Sequence, residues 1–419
     1  MKRALVLNGG GSRGAYEIGA WQALDELGVK FQAVYGTSIG ALNAALFAQG
    51  DLELARRLWE KVTVGQIMAV DAEADFSIDR MVSRKRDVIP FLLENAKYLR
   101  ADIGPLEKLV AESLDEARVR VSGMELGVMT FRVPQLQPVP MTLENMAPGS
   151  LADWVIASAS CFPVFPERRI DGQIYIDGGY YDNLPVDMAL AGGADEIVAV
   201  ELHPEPTHPE YGRMPWLKLV KPRHSLGGFL DFEPRLLARS RMLGYHDTLK
   251  AWKKLDGFLY TFRPVSALTV EGEARRAMAR LTRFDGEIIR RGALASGPVD
   301  PPLLTALEAE TDFRPLSWKD VWLRGVELAA GAMSYREDAV YDARQLQRQM
   351  LDYCKAQSFG PEFDDKAITA AANQGKRRLL AFLVRRLLDA GDFPAASIRH
   401  LSEYPALTAA AIALAAGEK

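Results

Sequence analysis

The sequence predicts an α/β fold in which a mostly parallel sheet is covered by helices on both faces. Two short apolar runs near the N-terminus each end in a glycine-rich turn and pass directly into a helix-forming stretch, and further strand-like runs recur downstream. Strands that alternate with helices in this way form parallel sheets buried on both sides. Loops at the carboxyl ends of adjacent strands then converge, and both glycine turns lie at such ends.

Ala4 to Leu7 is the first apolar run and stops at Asn8-Gly9-Gly10-Gly11; Gly14 to Leu27 follows with helical composition and ends before Gly28. The next run, Phe31 to Tyr35, breaks at Gly36-Thr37-Ser38-Ile39-Gly40 and passes into Ala41 to Ala48, rich in alanine and leucine. Residues 51 to 123 read as helical and polar, with a basic knot at Arg84-Lys85-Arg86 expected on a solvated face. Met124 to Phe131 reads as another strand. Leu151 to Ser160 reads as a small-residue helix that cannot continue through Pro163 and Pro166. Ile174 to Ile176 is a short strand entering Asp177-Gly178-Gly179, and Glu196 to Leu202 is the last clear strand. Residues 203 to 235, rich in proline and poor in periodicity, are expected to form a long surface loop. From about residue 266 the chain is strongly helical to its end, without an internal repeat or low-complexity tract.

Composition narrows the functional classes. In 419 residues, 51 basic side chains are set against 55 acidic ones for a formal charge of −4, which gives no electrostatic footprint for nucleic acid. The two cysteines, Cys161 and Cys354, are far apart and lack CxxC neighbours, so neither a disulfide framework nor a zinc site is expected, and no metal cluster is legible. The apolar run after Met1-Lys2-Arg3 is too short for a secretory signal, and no uncharged apolar stretch reaches the roughly 18 residues a membrane span requires. A cytoplasmic protein is expected, with any membrane attraction local and peripheral. The oligomeric state is not legible.

Three motifs carry chemistry. Gly36-Thr37-Ser38-Ile39-Gly40 is a G-x-S-x-G between a strand and a helix, the setting in which a sharp turn exposes a serine hydroxyl. Gly36 and Gly40 leave room for that turn, and the helix N-terminus favours negative charge developing there. A small-residue turn without chemistry is the plainer alternative. Gly9-Gly10-Gly11-Ser12-Arg13-Gly14 also satisfies G-x-G-x-x-G, but a dinucleotide loop wants an acidic residue about 20 positions on, at the end of the second strand. That strand ends instead in Gly36-Thr37-Ser38, while Asp25 and Glu26 fall inside the intervening helix. Successive glycines can equally turn backbone N–H groups toward an oxyanion, which is the preferred reading, with Arg13 bracing the loop. Asp177-Gly178-Gly179 presents a carboxylate at a strand end; alone it reads as a turn.

In this order and context the motifs resemble those of the patatin-like phospholipase family, whose marks are a glycine-rich oxyanion loop near the N-terminus, a G-x-S-x-G elbow and a D-G-G or D-G-A. The resemblance runs from Arg3 to roughly Tyr260 and takes in Ala157-Ser158, Asp182-Asn183-Leu184-Pro185 and Gly244-Tyr245-His246-Asp247. It implies a three-layer α/β/α sandwich and a serine–aspartate dyad. Ser38 matches the nucleophile and Asp177 the base, with Gly178 and Gly179 completing the D-G-G. Gly10, Gly11 and Arg13 match the oxyanion region, within a loop from Gly9 to Gly14. Asn8 stands where plant-type members have aspartate, which places the chain nearer the bacterial and neuropathy-target-esterase-like branch and removes no catalytic group. The implied activity is hydrolysis of lipid acyl esters, of phospholipase A or lysophospholipase type, without a cofactor. The patatin-like catalytic domain would be residues 1–265, and residues 266–419 a helical region of unassigned role.

Several secondary readings accompany this one. A serine–histidine–acid triad would draw on His203, His208, His224, His246 or His400, of which His203 and His246 follow Asp177 in the chain order of α/β-hydrolases. A catalytically silent lipid-binding or regulatory module and a nucleotide-dependent oxidoreductase are the rival functions. Phe162, Val164 and Phe165 are candidates to line an acyl channel. Met214 to Arg223 mixes aromatic, aliphatic and basic residues, a composition suited to a lid, a lipid-surface contact or a loop over the domain's own core. Lys376 to Leu388 reads as a basic amphipathic helix, suited to anionic lipid but better read as packing its leucine face inside a small bundle.

Overall fold

Contacts divide the computed structural model into two units, Met1–Trp252 and Lys253–Lys419. Described are residues 1–69, 101–212, 214–292, 302–310, 315–360, 364–391 and 404–418; the Arg84-Lys85-Arg86 knot lies outside them.

The described part of the first unit is organised by an 8-stranded sheet. Its strands are β1 (Arg3–Leu7), β2 (Ala33–Thr37), β3 (Glu125–Val133), β4 (Gln137–Thr142), β5 (Arg168–Ile170), β6 (Gln173–Asp177), β7 (Glu196–Val200) and β8 (Leu217–Val220). A parallel core runs β3-β2-β1-β7-β8, while β4 and β6 join β3 antiparallel and β5 joins β6. β1 is apolar throughout after Arg3 because both its faces are covered. Leu5 and Leu7 enter one hydrophobic cluster, and Ala4 and Val6 enter another on the opposite side.

The two outer layers are unequal. Helices α1 (Ala15–Glu26), α2 (Ile39–Gln49), α3 (Leu52–Lys61), α4 (Val64–Ile67), α5 (Gly104–Ser113), α6 (Glu116–Val121) and α7 (Leu151–Ser158) contribute to the larger cluster. Across the sheet α8 (Val186–Ala191) packs with Leu184 and the Tyr211–Trp216 ring pair, and α9 (Pro234–Ala251) returns to the larger layer. Three layers with a mostly parallel centre are thus observed, as the alternation of elements implies.

Strands that carry little period-2 signal escape sequence reading. β4 contains Pro138 and Pro140 and reads as a turn-rich loop, yet it pairs with β3 from Thr142 to Gln137 at a position where one side of the backbone needs no partner. β8 lies inside the stretch read as surface loop. Leu217 and Leu219 pack on one face, and Lys218 sits 4.4 Å above the Trp252 ring on the other. The Met214 to Arg223 stretch is therefore in part a sheet strand, and Lys218 is engaged internally.

α1 is apolar on nearly all sides because it lies between the sheet and α9. At Gly19 an added methyl would run into the Arg241 carbonyl, and at Gly244 into the Tyr16 carbonyl, so the two backbones touch. Tyr16 donates to Asp247 Oδ2 at 2.8 Å, Lys250 pairs with Asp247 at 2.7 Å, and Tyr245 donates to Glu26 Oε2 at 2.6 Å. The Gly244-Tyr245-His246-Asp247 motif thus supplies three of the contacts that lock these helices. Glu17, also on α1, is buried beneath the turn that opens at Asn8. Asn43 of α2 donates to its Oε2 at 2.7 Å and accepts from Trp59 Nε1 of α3 at 3.0 Å. Burial pushes the Glu17 carboxyl up to about 8, against the Asn43 and Asn8 hydrogen bonds that pull it down.

The second unit is helical among its described residues, apart from the short parallel pair β9 (Thr261–Phe262) and β10 (Val340–Tyr341). Residues Lys376–Ala390 form a helix that buries Leu379, Leu380, Leu383 and Leu387. Arg377 stacks on Tyr353 and Arg378 on Phe359, so two of the basic residues are engaged within the bundle. No helix among the described residues is long and apolar enough to cross a membrane.

Two stability measurements follow from α1. Gly244→Ala is expected to destabilise by at least about 2 kcal/mol, because the helices must separate, lowering the thermal midpoint by several degrees. Glu17 retains in the folded state a proton that the unfolded chain releases above its ordinary value of 4.5. Stability therefore falls as pH rises from about 4.5 to about 8 and levels off above. Glu17→Gln removes that fall, so in denaturant titrations the variant should gain on wild type by a few kcal/mol across this window, at about 1.4 kcal/mol per pH decade.

Candidate active site

β3 brings the site together. Its one edge is paired by β4, and the other is shared by two strands running in opposite directions: β2 from Ala33↔Glu125 to Thr37↔Met129, and β6 from Ile174↔Val133 to Asp177↔Thr130. The carboxyl ends of β2 and β6 therefore meet head to head at consecutive residues of β3. Neither strand can continue. The chain after Thr37 turns away at Ser38, and the chain after Asp177 turns into a 3-10 turn at Gly178–Tyr180.

Ser38 is bent into φ 56° and ψ −126°, a backbone conformation that costs a non-glycine residue about 1–3 kcal/mol. Its N–H donates to Ser158 Oγ at 2.8 Å, and that hydroxyl donates to the Met129 carbonyl at 2.6 Å, so the end of α7 pins the elbow to β3. A methyl at Gly36 would strike the Gly40 carbonyl, and one at Gly40 would lie 2.6 Å from the Leu7 carbonyl, which is why both positions are glycine. Asp177 is buried with Ser38, at 5% exposure each. Its N–H donates to the Ser160 carbonyl at 2.9 Å, and its Oδ1 accepts from Gly179 N–H at 2.7 Å. The neighbouring thiol of Cys161 and phenol of Tyr180 are both pushed up by burial and by the Asp177 charge.

The glycine loop after β1 lies beside the elbow, where a Cβ built on Gly9 would sit 3.1 Å from Ser38 Cβ. Hydrogen bonding sorts its amides. Gly9 N–H donates to the Asn183 carbonyl at 2.9 Å, Ser12 N–H to the Phe229 carbonyl at 2.9 Å, and Arg13 N–H to the Gly10 carbonyl at 3.3 Å. The N–H groups of Gly10 and Gly11 are left without an acceptor among the described residues. Of the residues expected from sequence, Gly9 and Arg13 therefore shape the loop, and Gly14 joins it to α1. The Arg13 side chain donates Nε to the Gly227 carbonyl at 2.8 Å, in keeping with a bracing role.

Sequence reading assigned no role to the polar groups that hold this loop. Asn183 donates Nδ2 to the Gly9 carbonyl at 2.8 Å and to Asn8 Oδ1, and Asn8 in turn donates to Glu201. Glu201 is fully buried; Thr207 donates to it through its N–H at 2.5 Å and its hydroxyl at 3.0 Å, and burial pushes its carboxyl up against those bonds. Thr37 Oγ1 donates to the Asp182 carbonyl at 2.9 Å. The one sequence signal was a glutamate ending an otherwise apolar strand, Glu201 after Ile197 to Val200.

An apolar cavity opens at Ser38 and Gly11. Its wall is apolar: Ile39 and Leu42 from α2, Ile67, Leu106 and Val110 from α4 and α5, Val155 and Ile156 from α7, and Phe229, Leu230 and Phe232 from the segment before α9. Of the three candidates for an acyl lining, Phe165 contributes to this wall. Val164 is buried in the core with its carbonyl accepting from Ala101, and Phe162 accepts from the Tyr180 hydroxyl; neither lines the cavity. His208 is held by Asp182 Oδ1, the Leu184 carbonyl and Glu210 Oε1, each at 3.0 Å, and Asp182 above all pushes it up to about 9. His246 is buried in α9, its ring 5.8 Å from that of Tyr245.

Residues 5–190 match the model of the patatin-like phospholipase family. Over 198 residues, 47% of the chain, the sequence is 27% identical to the lysophospholipase nte1 of Aspergillus terreus and 29% identical to the lysophospholipase NTE1 of Coccidioides immitis. The match spans 12% and 11% of those proteins' lengths. Among solved structures, VipD from Legionella pneumophila aligns with 99% of this chain and 91% of its own at 15% identity and a TM-score of 0.41. The span that matches the patatin-like phospholipase family model, residues 5–190, holds both Ser38 and Asp177.

Proposed function

We propose that this protein hydrolyses carboxylic esters of lipids, lysophospholipids among them, through an acyl-enzyme on Ser38. The observation that carries the reading is the head-to-head meeting of β2 and β6, which sets Thr37, just before the strained Ser38, and the buried Asp177 opposite consecutive residues of β3, near two amides without an acceptor among the described residues. Asp177 takes the Ser38 proton as Oγ bonds to the ester carbonyl carbon, and the N–H groups of Gly10 and Gly11 receive the oxyanion. When the carbonyl re-forms, the bond to the alkoxy oxygen breaks and Asp177 passes the proton to the leaving alcohol. Water then attacks the acyl-enzyme, gives a proton to Asp177, and releases the fatty acid as Ser38 recovers its proton. The apolar cavity beside Ser38 suits an acyl chain. Such a substrate is met at a lipid surface, so a peripheral membrane contact belongs to the proposal. The names borne by the fungal relatives point to the same substrate class.

Hydrolysis of p-nitrophenyl octanoate by wild type, Ser38→Ala, Asp177→Asn and His246→Ala tests this, with the fold of each checked by circular dichroism. Ser38→Ala and Asp177→Asn are each expected to lose about 10⁴-fold in kcat, while His246→Ala keeps its activity. Loss with His246→Ala as well would point to a triad. An inert wild type, tested also on lysophospholipid vesicles, would leave the silent binding module as the better account.

A further inference from the structure

The segment Ser225–Phe232 is bound to the oxyanion loop along three successive carbonyls. Arg13 Nε donates to Gly227 at 2.8 Å, Ser12 Oγ to Gly228 at 2.8 Å, and Ser12 N–H to Phe229 at 2.9 Å. The fit is close, since a methyl on Gly11, itself at φ 59°, would run into the Phe229 carbonyl. The segment keeps its own shape through a turn in which Gly228 N–H donates to Asp231 Oδ2 at 2.6 Å, and α9 holds its start through Arg239 Nη1 on the Ser225 carbonyl at 2.8 Å. With these bonds made, Phe229, Leu230 and Phe232 form one wall of the cavity that opens at Ser38.

One strip of chain therefore has two faces. Its side chains wall the space suited to an acyl chain, and its carbonyls fix the residues that directly follow the two unpaired amides, Gly10 and Gly11. A displacement of the strip on one side has to move the donors on the other. Oxyanion donors act only when held about 2.7–3.1 Å from the developing charge, so small shifts change transition-state binding far more than ground-state binding.

We propose that Ser225–Phe232 reads the acyl chain and transmits its presence to the oxyanion loop, so that chain length sets kcat and not KM alone, with Ser12 and Arg13 as positioning residues. Phe229, Leu230 and Phe232 are then specificity-determining residues. A long chain packs against them and holds the strip in the position that aligns the amides. A short chain leaves that wall without a partner and the amides less firmly placed. The inference rests on the ester-hydrolase reading.

The test compares kcat and KM of the full chain on p-nitrophenyl acetate and p-nitrophenyl decanoate, for wild type, Asp231→Ala, Asp231→Asn and Ser12→Ala. Wild type is expected to turn over decanoate with the higher kcat. Asp231→Ala, which uncaps the turn at an exposed site away from the cavity wall, should reduce the decanoate-to-acetate kcat ratio about 10-fold, a fraction of what losing a whole donor costs. Asp231→Asn keeps an acceptor for Gly228 and should restore the ratio. Ser12→Ala, which frees the Gly228 carbonyl from the other side, should reproduce the loss. Parallel falls on both esters, or changes confined to KM, would overturn the coupling while leaving the esterase standing. An inert wild type would instead overturn the ester-hydrolase reading and this inference with it.

Discussion

The site depends on two strands that occupy one edge of a third. β2 and β6 approach each other along β3 and run out of room at Met129 and Thr130. Two extended chains cannot pass through the same space, so each must leave the sheet at that point. The strain at Ser38 is the consequence, and the surroundings hold it. Gly36 and Gly40 allow the turn, and the Ser158 hydroxyl satisfies an N–H that has left the ladder. The same collision halts β6 at Asp177, whose carboxylate is left at the strand end beside the serine.

Buried polar groups then fix what the strands bring near. Asn8 and Glu201 are buried and bonded to each other and to the partly exposed Asn183 and Thr207, and a bond lost at either buried group would strand a donor or acceptor at about 1–3 kcal/mol. Through Asn183 this network ties the glycine loop to the chain that follows Asp177. Through Thr37 Oγ1 on the Asp182 carbonyl it is tied to the strand before Ser38. His208, cationic near neutrality because Asp182 and Glu210 flank it, adds an ion pair to the same chain segment. The three glycine-bearing motifs, separated by up to 168 positions between Gly9 and Asp177, are thereby joined by hydrogen bonds into one assembly.

What was legible in the sequence was local. Glycines at the ends of apolar runs mark turns because few other residues fit them, and the runs themselves mark strands buried on both faces. Where local pattern is weak the sequence misleads: Pro138 and Pro140 argue against β4, and the irregular 203–235 stretch conceals β8, because an edge strand needs only half its backbone paired and half its side chains buried. Phe162 and Phe165 look alike as acyl-lining candidates, yet only Phe165 reaches the cavity. Phe229, Leu230 and Phe232 line it instead, from a segment whose sequence shows no periodicity.

The sequence by itself determined the strand-turn-helix units, the serine in its elbow, the glycine loop and the carboxylate at a strand end, since each is settled by the conformational limits of a few neighbouring residues. Only the tertiary structure decided that β2 and β6 share an edge of β3, which two amides of the glycine loop stay unpaired among the described residues, and that Ser225–Phe232 both grips that loop and walls the cavity. Those outcomes depend on hydrogen bonds between residues about 40 to 220 positions apart, and pairing at such separation is set by the register of the whole sheet and leaves no period in the chain.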